Sequence, residues 1–200
     1  MKTWTGVLTI LFLFAGTALA QEEMPSQVAI QFTGLIPRDA TGNGITDHAT
    51  KSGGFQLSYT HLLHKWAAAE ASYGYGRNTQ NYSGDFGTAG VQANINKFTG
   101  AFVLRLPVHV SRLRPYALAG GGVLRFSPTS DPGNAAGAVS QSKGTFLYGA
   151  GADVDLSRHV GLRVDYRGFL FKPPDFTLSG FTVGTTTHLA QPSIGIFFRL

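Results

Sequence analysis

Beyond residue 26, apolar side chains fall on every second position in stretch after stretch, and nowhere past the first twenty residues does an apolar run approach the length of a spanning helix. A period of two belongs to strands with two unlike faces. Residues 145–171 show it most clearly. Phe146, Tyr148, Ala150, Ala152, Val154 and Leu156 share one parity, with Gly149, Gly151, Asp153 and Asp155 on the other. After Ser157, Arg158 and His159 the alternation resumes, with Leu162, Val164, Tyr166 and Leu170 opposing Arg163, Asp165 and Arg167. Two strands of about ten residues joined by a minimal turn make one hairpin, long enough to cross a bilayer at a tilt. The chain also ends on a strand, with Ile194, Ile196, Phe198 and Leu200 facing away from Ser193, Gly195, Phe197 and Arg199.

The same reading predicts further strands over residues 27–36, 53–62, 66–77, 94–106, 115–126 and 186–200, giving eight with the hairpin. Residues 38–52, 78–91, 127–144 and 173–185 are rich in Gly, Asn, Asp, Ser, Thr and Pro, which favour turns over ladders, and are read as long loops. Between them lie short turns at 64–65, 107–114 and 157–159. Long and short connections alternate strictly, the asymmetry of a barrel with extracellular loops and periplasmic turns. The fold class predicted is all-β, an eight-stranded antiparallel up-and-down transmembrane β-barrel with both termini in the periplasm.

Alternation alone does not say which face points inward, since a soluble lipocalin-like barrel would bury its apolar face. The apolar parity here carries the bulk, in Phe98, Phe102 and Leu104, and in Tyr116, Leu118, Leu124 and Phe126 against Ala117, Ala119, Gly121 and Arg125. An eight-stranded lumen is nearly filled by small side chains, so the bulky parity is assigned to lipid. Tyr59, Trp66, Tyr116 and Tyr166 are read as interfacial aromatics. The polar parity then lines the lumen, setting Glu70, Asp153, Asp155 and Asp165 against Arg105, Arg125, Arg163, Arg167 and Arg199. Confined charges must pair, because an unpaired one costs several kcal/mol. The expectation is a salt-bridged plug rather than an open pore, with a narrow ion or solute path as the alternative.

The start of the chain reads differently. Met1-Lys2, the apolar residues 7–15 and Ala18-Leu19-Ala20 have the order of a secretory signal, so residues 1–20 are expected to be removed. Residues 21–26 form a periplasmic lead and residues 27–200 one barrel domain. There are no cysteines, so neither disulfides nor thiolate metal sites hold the fold. The formal charge of +5 is scattered, without the basic cluster of a nucleic-acid surface.

Ser193-x-Gly195-x-x-Phe198-x-Leu200 resembles the C-terminal signal that the assembly machinery of outer-membrane barrels reads, with Leu200 where many such signals carry Phe or Trp. Residues 114–122, Arg-Pro-Tyr-Ala-Leu-Ala-Gly-Gly-Gly, and 149–155, Gly-Ala-Gly-Ala-Asp-Val-Asp, resemble the small OmpA-type barrel family. The resemblance spans most of residues 27–200 and implies a monomeric barrel in the bacterial outer membrane. It also implies assembly partners, the barrel machinery and periplasmic chaperones, and a setting of lipid and lipopolysaccharide. Arg38, Lys51, Arg77, Lys143 and Lys172 are placed at the outer rim, where they could meet lipopolysaccharide phosphates.

Signs of chemistry are thin, and no enzyme, cofactor or metal is expected. His109-x-Ser111 loosely matches the spacing of lipid A deacylase barrels but falls in a predicted periplasmic turn. Asp47 and Asp85 with His48 or His188 loosely suggest an aspartate-histidine protease rim, a family that uses ten strands. The remaining histidines lack a metal-ligand spacing. Glycines 120–122 and 149–151 precede no helix and no Gly-Lys-Ser, so they are read as lumen lining rather than a phosphate loop. A structural or surface-interaction role in the envelope is expected, ahead of a channel, an outer-leaflet lipid enzyme or a soluble apolar-ligand binder.

Overall fold

A computed structural model describes residues 26–84, 87–106, 112–178 and 182–200. Ten strands form in them: β1 (Ser26–Pro37), β2 (Ala40–Gly42), β3 (Ile45–Ala49), β4 (Ser52–His64), β5 (Ala67–Gly84), β6 (Gly87–Arg105), β7 (Leu113–Pro128), β8 (Gln141–Asp155), β9 (Val160–Phe171) and β10 (Thr187–Arg199). Eight close a barrel in the order β5-β4-β1-β10-β9-β8-β7-β6, with β6 returning to pair with β5. Every neighbouring pair is antiparallel, from Gln27↔Arg199 where the first and last barrel strands meet to Ala67↔Leu104 across β5 and β6. Closure leaves the barrel without an edge to mispair, and it is one of the few ways a sheet can cross hydrocarbon with all its backbone groups bonded.

Two of the expected loops are not loops. Within 38–52, β2 and β3 form a hairpin through Asn43 and Gly44, and β3 pairs with the far end of β5 from Ile45↔Gly84 to Ala49↔Gln80. Within 78–91, β5 and β6 simply continue, reaching 18 and 19 residues with unbroken pairing up to Gly84↔Gly87. A tilted crossing takes about 9–11 residues, so this hairpin stands well outside the membrane. Asn and Gly are weak strand formers, but a hairpin already in register gains a rung with each residue, and β3 supplies a second partner.

The faces sort largely as the alternation requires. Phe32, Ile194, Phe146, Phe98 and Phe102 point outward with 76, 56, 53, 54 and 51% of their surface exposed, forming a lipid-facing belt. Gln31, Gln56, Lys97, Arg163 and Arg167 are buried inside. Strand β7 is the exception and corrects the sequence reading. Tyr116, Leu118, Leu124 and Phe126 are at most 4% exposed and fill the lumen, while Val123 and Arg125 face out. Arg125 is therefore not a lumen residue, and Tyr116 is not an interfacial aromatic. The cause lies on the paired strand. Tyr116 is opposite Gly151, where a Cβ would stand 2.7 Å from the phenol, so the ring occupies the space that glycine leaves.

Strand β7 also approaches β6 unusually closely. A Cβ at Gly120 would lie 2.0 Å from the Gly100 carbonyl oxygen and 2.6 Å from Ala101 Cα, backbone atoms with little freedom to yield. Gly120→Ala is expected to lower the unfolding free energy of the micelle-folded barrel, read from its denaturant curve, by about 1–3 kcal/mol. Gly144→Ala, which meets nothing within 4 Å, should leave it unchanged.

Candidate functional site

The lumen is filled in tiers. Toward the end of the barrel that carries both termini lies a five-membered ion network built from β5, β8 and β9. Arg163 makes a two-pronged contact with Asp153, Nε to Oδ1 at 2.7 Å and Nη2 to Oδ2 at 2.9 Å, and its Nη1 reaches Glu70 Oε2 at 3.3 Å. Arg167 donates to Glu70 Oε1 at 2.7 Å and to Asp165 Oδ2 at 3.0 Å. Neutral donors complete the carboxylates: Thr60 to Glu70 at 3.2 Å, and Tyr116 and Gln31 to Asp165 at 2.9 and 3.2 Å, with Ser193 also on Asp165. Each of these charged side chains is 3% exposed or less. Closer to that end, Arg114 and Arg199 share Asp155, and Arg105 donates to Gln27 Oε1 at 2.8 Å.

Above the ion network runs a belt of amides. Gln31, Gln56 and Gln191 follow one another at 3.2 and 2.8 Å, and Lys97 donates to Gln191 Oε1 at 2.5 Å while lying 5.8 Å from the Phe169 ring centre. Gly74 makes this possible, since a Cβ there would meet Lys97 Cε at 2.6 Å. The outer half of the lumen is apolar, packed with Leu35, Ile95, Leu118, Leu124, Phe126, Leu147, Phe169 and Leu189.

Phe176, fully buried, caps this core edge-on to Phe126 at 6.5 Å. It enters from the segment between β9 and β10, which is pinned by the Tyr82 hydroxyl donating to Pro174 O at 2.6 Å. Asp175 ties the same segment to β8. Burial opposes its ionisation, but hydrogen bonds from Gln141, the Thr177 N–H and Thr182, with the Lys143 charge, hold it below the usual carboxylate range.

At the mouth, Asp47 of β3 turns inward and is 4% exposed. The Gln80 amide, in the orientation that satisfies its neighbours' hydrogen bonding, donates to both Asp47 carboxylate oxygens at 2.9 and 3.1 Å. Beside it is a cavity of about 10 Å³ lined by Arg38, Asn78, Gln80, Phe126 and Thr187 among others, room for about one water. Burial first, and Asp39 second, push Asp47 from 3.8 up to about 7, with His48 opposing. A raised carboxyl contributes stability that is fully present below its unfolded value and is lost as pH rises through about 7. Amide exchange in β3 and its β5 partners, corrected for intrinsic rate, is expected to be faster at pH 8 than at pH 5, and Asp47→Asn to erase the difference. Equal protection at both pH values would refute this.

Of the residues singled out by sequence, Glu70, Asp153, Asp165, Arg163 and Arg167 meet in one network, while Arg105, Asp155 and Arg199 gather below it. Ser193 joins the lumen through Asp165, Gly195 lies on the lumen side against β1, and Phe198 and Leu200 face outward. Tyr59, Trp66 and Tyr166 are exposed on the outer wall at 45, 50 and 44%. His109, Ser111 and Asp85 lie outside the described residues. Asp47 is sealed in the mouth, whereas His48 faces outward to Asp39 at 2.6 Å and His188 to the Tyr148 hydroxyl at 3.0 Å, so Asp47 and these histidines do not assemble. Among the described residues no three His, Cys, Asp or Glu gather as a metal centre.

The model of the family described as "Outer membrane protein beta-barrel domain" matches residues 6–187. The chain belongs to that family. No curated protein sequence matches it. Solved barrels resemble it in fold: the outer membrane protein OprG from Pseudomonas aeruginosa has 14% identity and a TM-score of 0.61, over 90% of this chain and 98% of that one. Neisserial surface protein A has 14% identity and a TM-score of 0.59, over 89% and 100%. The attachment invasion locus protein Ail of Yersinia pestis, crystallised with the heparin analogue sucrose octasulfate, has 16% and 0.54, over 90% and 100%. This outer-membrane barrel thus shares the closed eight-stranded architecture of its neighbours.

Sequence reasoning passed over several lumen members of the barrel. Lys97 and the glutamines at 27, 31 and 56 sit on the polar parity, a signal that was there to be used. Tyr116 and Arg114 were hidden by the inverted face of β7 and by a turn read too long. Phe176, in a stretch read as loop, carried no periodic signal at all.

Proposed function

We propose that this barrel serves the bacterial envelope as a sealed, non-conducting element whose outer sheet and rim form its contact surface. One observation carries the reading: the lumen is occupied from end to end, with Arg167 and Phe176 both fully buried at different depths. A path for ions would require breaking paired, desolvated charges and displacing an apolar core in the same event. The extracellular extension of β5 and β6, backed by β3, offers the surface for contact. Arg38, Lys51, Arg77, Lys143 and Lys172, on or near the outer rim, are suited to lipopolysaccharide phosphates.

The signal at residues 1–20 would deliver the chain to the periplasm, and the strand ending Ser193-x-Gly195-x-x-Phe198-x-Leu200 would present it to the assembly machinery. N-terminal sequencing of the membrane-extracted protein should begin at Gln21. In planar bilayers the folded barrel should give no stepwise conductance at high protein load, with heat-dependent gel migration certifying that it is folded. Reproducible unitary steps from folded protein would overturn the sealed reading.

A further inference from the structure

At the periplasmic end of the lumen, positive groups outnumber their partners. Three guanidiniums surround one buried ring: the carbons of Arg114, Arg163 and Arg199 stand 6.0, 5.7 and 5.3 Å from the centre of Phe197. Arg105 joins them through Gln27 Oε1, which accepts from Arg105 at 2.8 Å and from Arg163 at 3.1 Å. Arg163 is satisfied by Asp153 and Glu70. The other three guanidiniums have Asp155 between them, and a single oxygen of it accepts from both Arg114 and Arg199. Among the described residues Arg105 has no carboxylate within ion-pair distance.

A second observation is independent of the charge count. Among the described residues, the buried Nε–H groups of Arg114 and Arg199 have no acceptor. A buried donor without an acceptor carries its desolvation cost in full, and native structures rarely leave two so close together. The cluster is not closed off from below either. The side chains of Arg114, Arg199 and Asp155 keep 23, 17 and 29% of their surface open, while Arg163, at 3%, forms the floor.

We propose that this vestibule is a binding site for an oxyanion of the phosphate class, held by Arg105, Arg114 and Arg199. A tetrahedral anion offers enough acceptor oxygens to serve three guanidiniums arriving from β6, β7 and β10, whereas a planar carboxylate is matched by one guanidinium fork. It would give Arg105 its missing counter-charge, lower the local excess of cations and offset the desolvation cost that Arg114 and Arg199 carry. The phosphate can belong to a periplasmic solute or to an inner-leaflet lipid headgroup, and the chemistry of the site is the same for both.

The test uses the folded barrel in maltoside micelles, which contain no phosphate, titrated with inorganic phosphate by calorimetry. One saturable site is expected, weakened about tenfold or more, roughly 1.4 kcal/mol, in Arg105→Gln and in Arg114→Gln. It should be unchanged in Arg125→Gln, whose side chain lies on the outer wall. Heat-dependent gel migration verifies folding. Should Arg114→Gln not fold, Arg105→Gln suffices, since the Arg105 side chain has Gln27 as its hydrogen-bonding partner. Repeating the titration in phosphatidylglycerol nanodiscs separates the sources: binding that persists indicates a solute, and binding lost only there indicates an occupying headgroup. Either result supports the site. No saturable binding in micelles, or equal affinity in wild type and both variants, overturns it.

Discussion

Arg167→Met should be the most damaging single substitution in the lumen, lowering stability by about 3–5 kcal/mol. Arg167 is fully buried and is the charged partner of Asp165, and it holds Glu70 jointly with Arg163. Methionine of similar length fills the volume but leaves three carboxylates, Glu70, Asp153 and Asp165, in a desolvated interior with one remaining guanidinium, that of Arg163. Glu70→Gln provides the informative contrast. It leaves Arg163 with Asp153 and Arg167 with Asp165, two matched pairs, and an amide that can still accept. Its cost should be about 1.5 kcal/mol, that of hydrogen bonds to charged groups made weaker rather than of an orphaned charge. Denaturant midpoints of the two variants in micelles check the order. If Glu70→Gln proved as harmful as Arg167→Met, charge balance would not be what stabilises this tier.

Phe176→Ala should cost about 3–5 kcal/mol, the range for removing a buried aromatic ring, and should act mainly on the outer half of the barrel. The ring is fully buried against Phe126 at the top of the apolar core, and its removal withdraws the anchor of the segment between β9 and β10. Limited proteolysis of the folded variant should cut within residues 172–186 under conditions that leave the wild type intact. The backbone provides a second handle. Phe176 and Thr177 have φ of 49 and 62°, a conformation L side chains rarely adopt, at a cost of about 1–3 kcal/mol each. Thr177→Gly relieves that strain on an exposed residue and should leave the segment between β9 and β10 protected or more so. Faster cleavage in Thr177→Gly would show that the Thr177 hydroxyl, which donates to Phe176 O at 2.6 Å, matters more than the strain.

Much of the barrel was legible because membrane strands advertise themselves twice, through alternation and through the rhythm of their connections. The hairpin of β8 and β9 shows this: its two parities separate Val154 and Leu162 from Asp153 and Arg163, and the structure pairs each with its like, Val154↔Leu162 and Asp153↔Arg163. The outer hairpins were not legible, because residues such as Asn78 and Asn81 have turn chemistry and become strand only by extending a ladder begun inside the membrane. The burial of Phe176 was illegible for a related reason. Phe176 is a single apolar residue among Pro, Asp and Thr, and its burial depends on a hole that the eight barrel strands create together.

Two things the sequence by itself determined: that this chain must form two-faced strands long enough to cross a membrane, and that ionic groups of both signs share one of those faces. Both follow from local covalent geometry, since side chains alternate along any extended backbone. What only the tertiary structure decided is which way each parity turns and which charge meets which. On β7 the bulky parity turned inward because Gly149 and Gly151 across the ladder left room for it, so Tyr116 reached Asp165 and Arg125 was sent to the outer wall. A period of two carries no sign, and that sign is set by the volume that neighbouring strands leave unfilled.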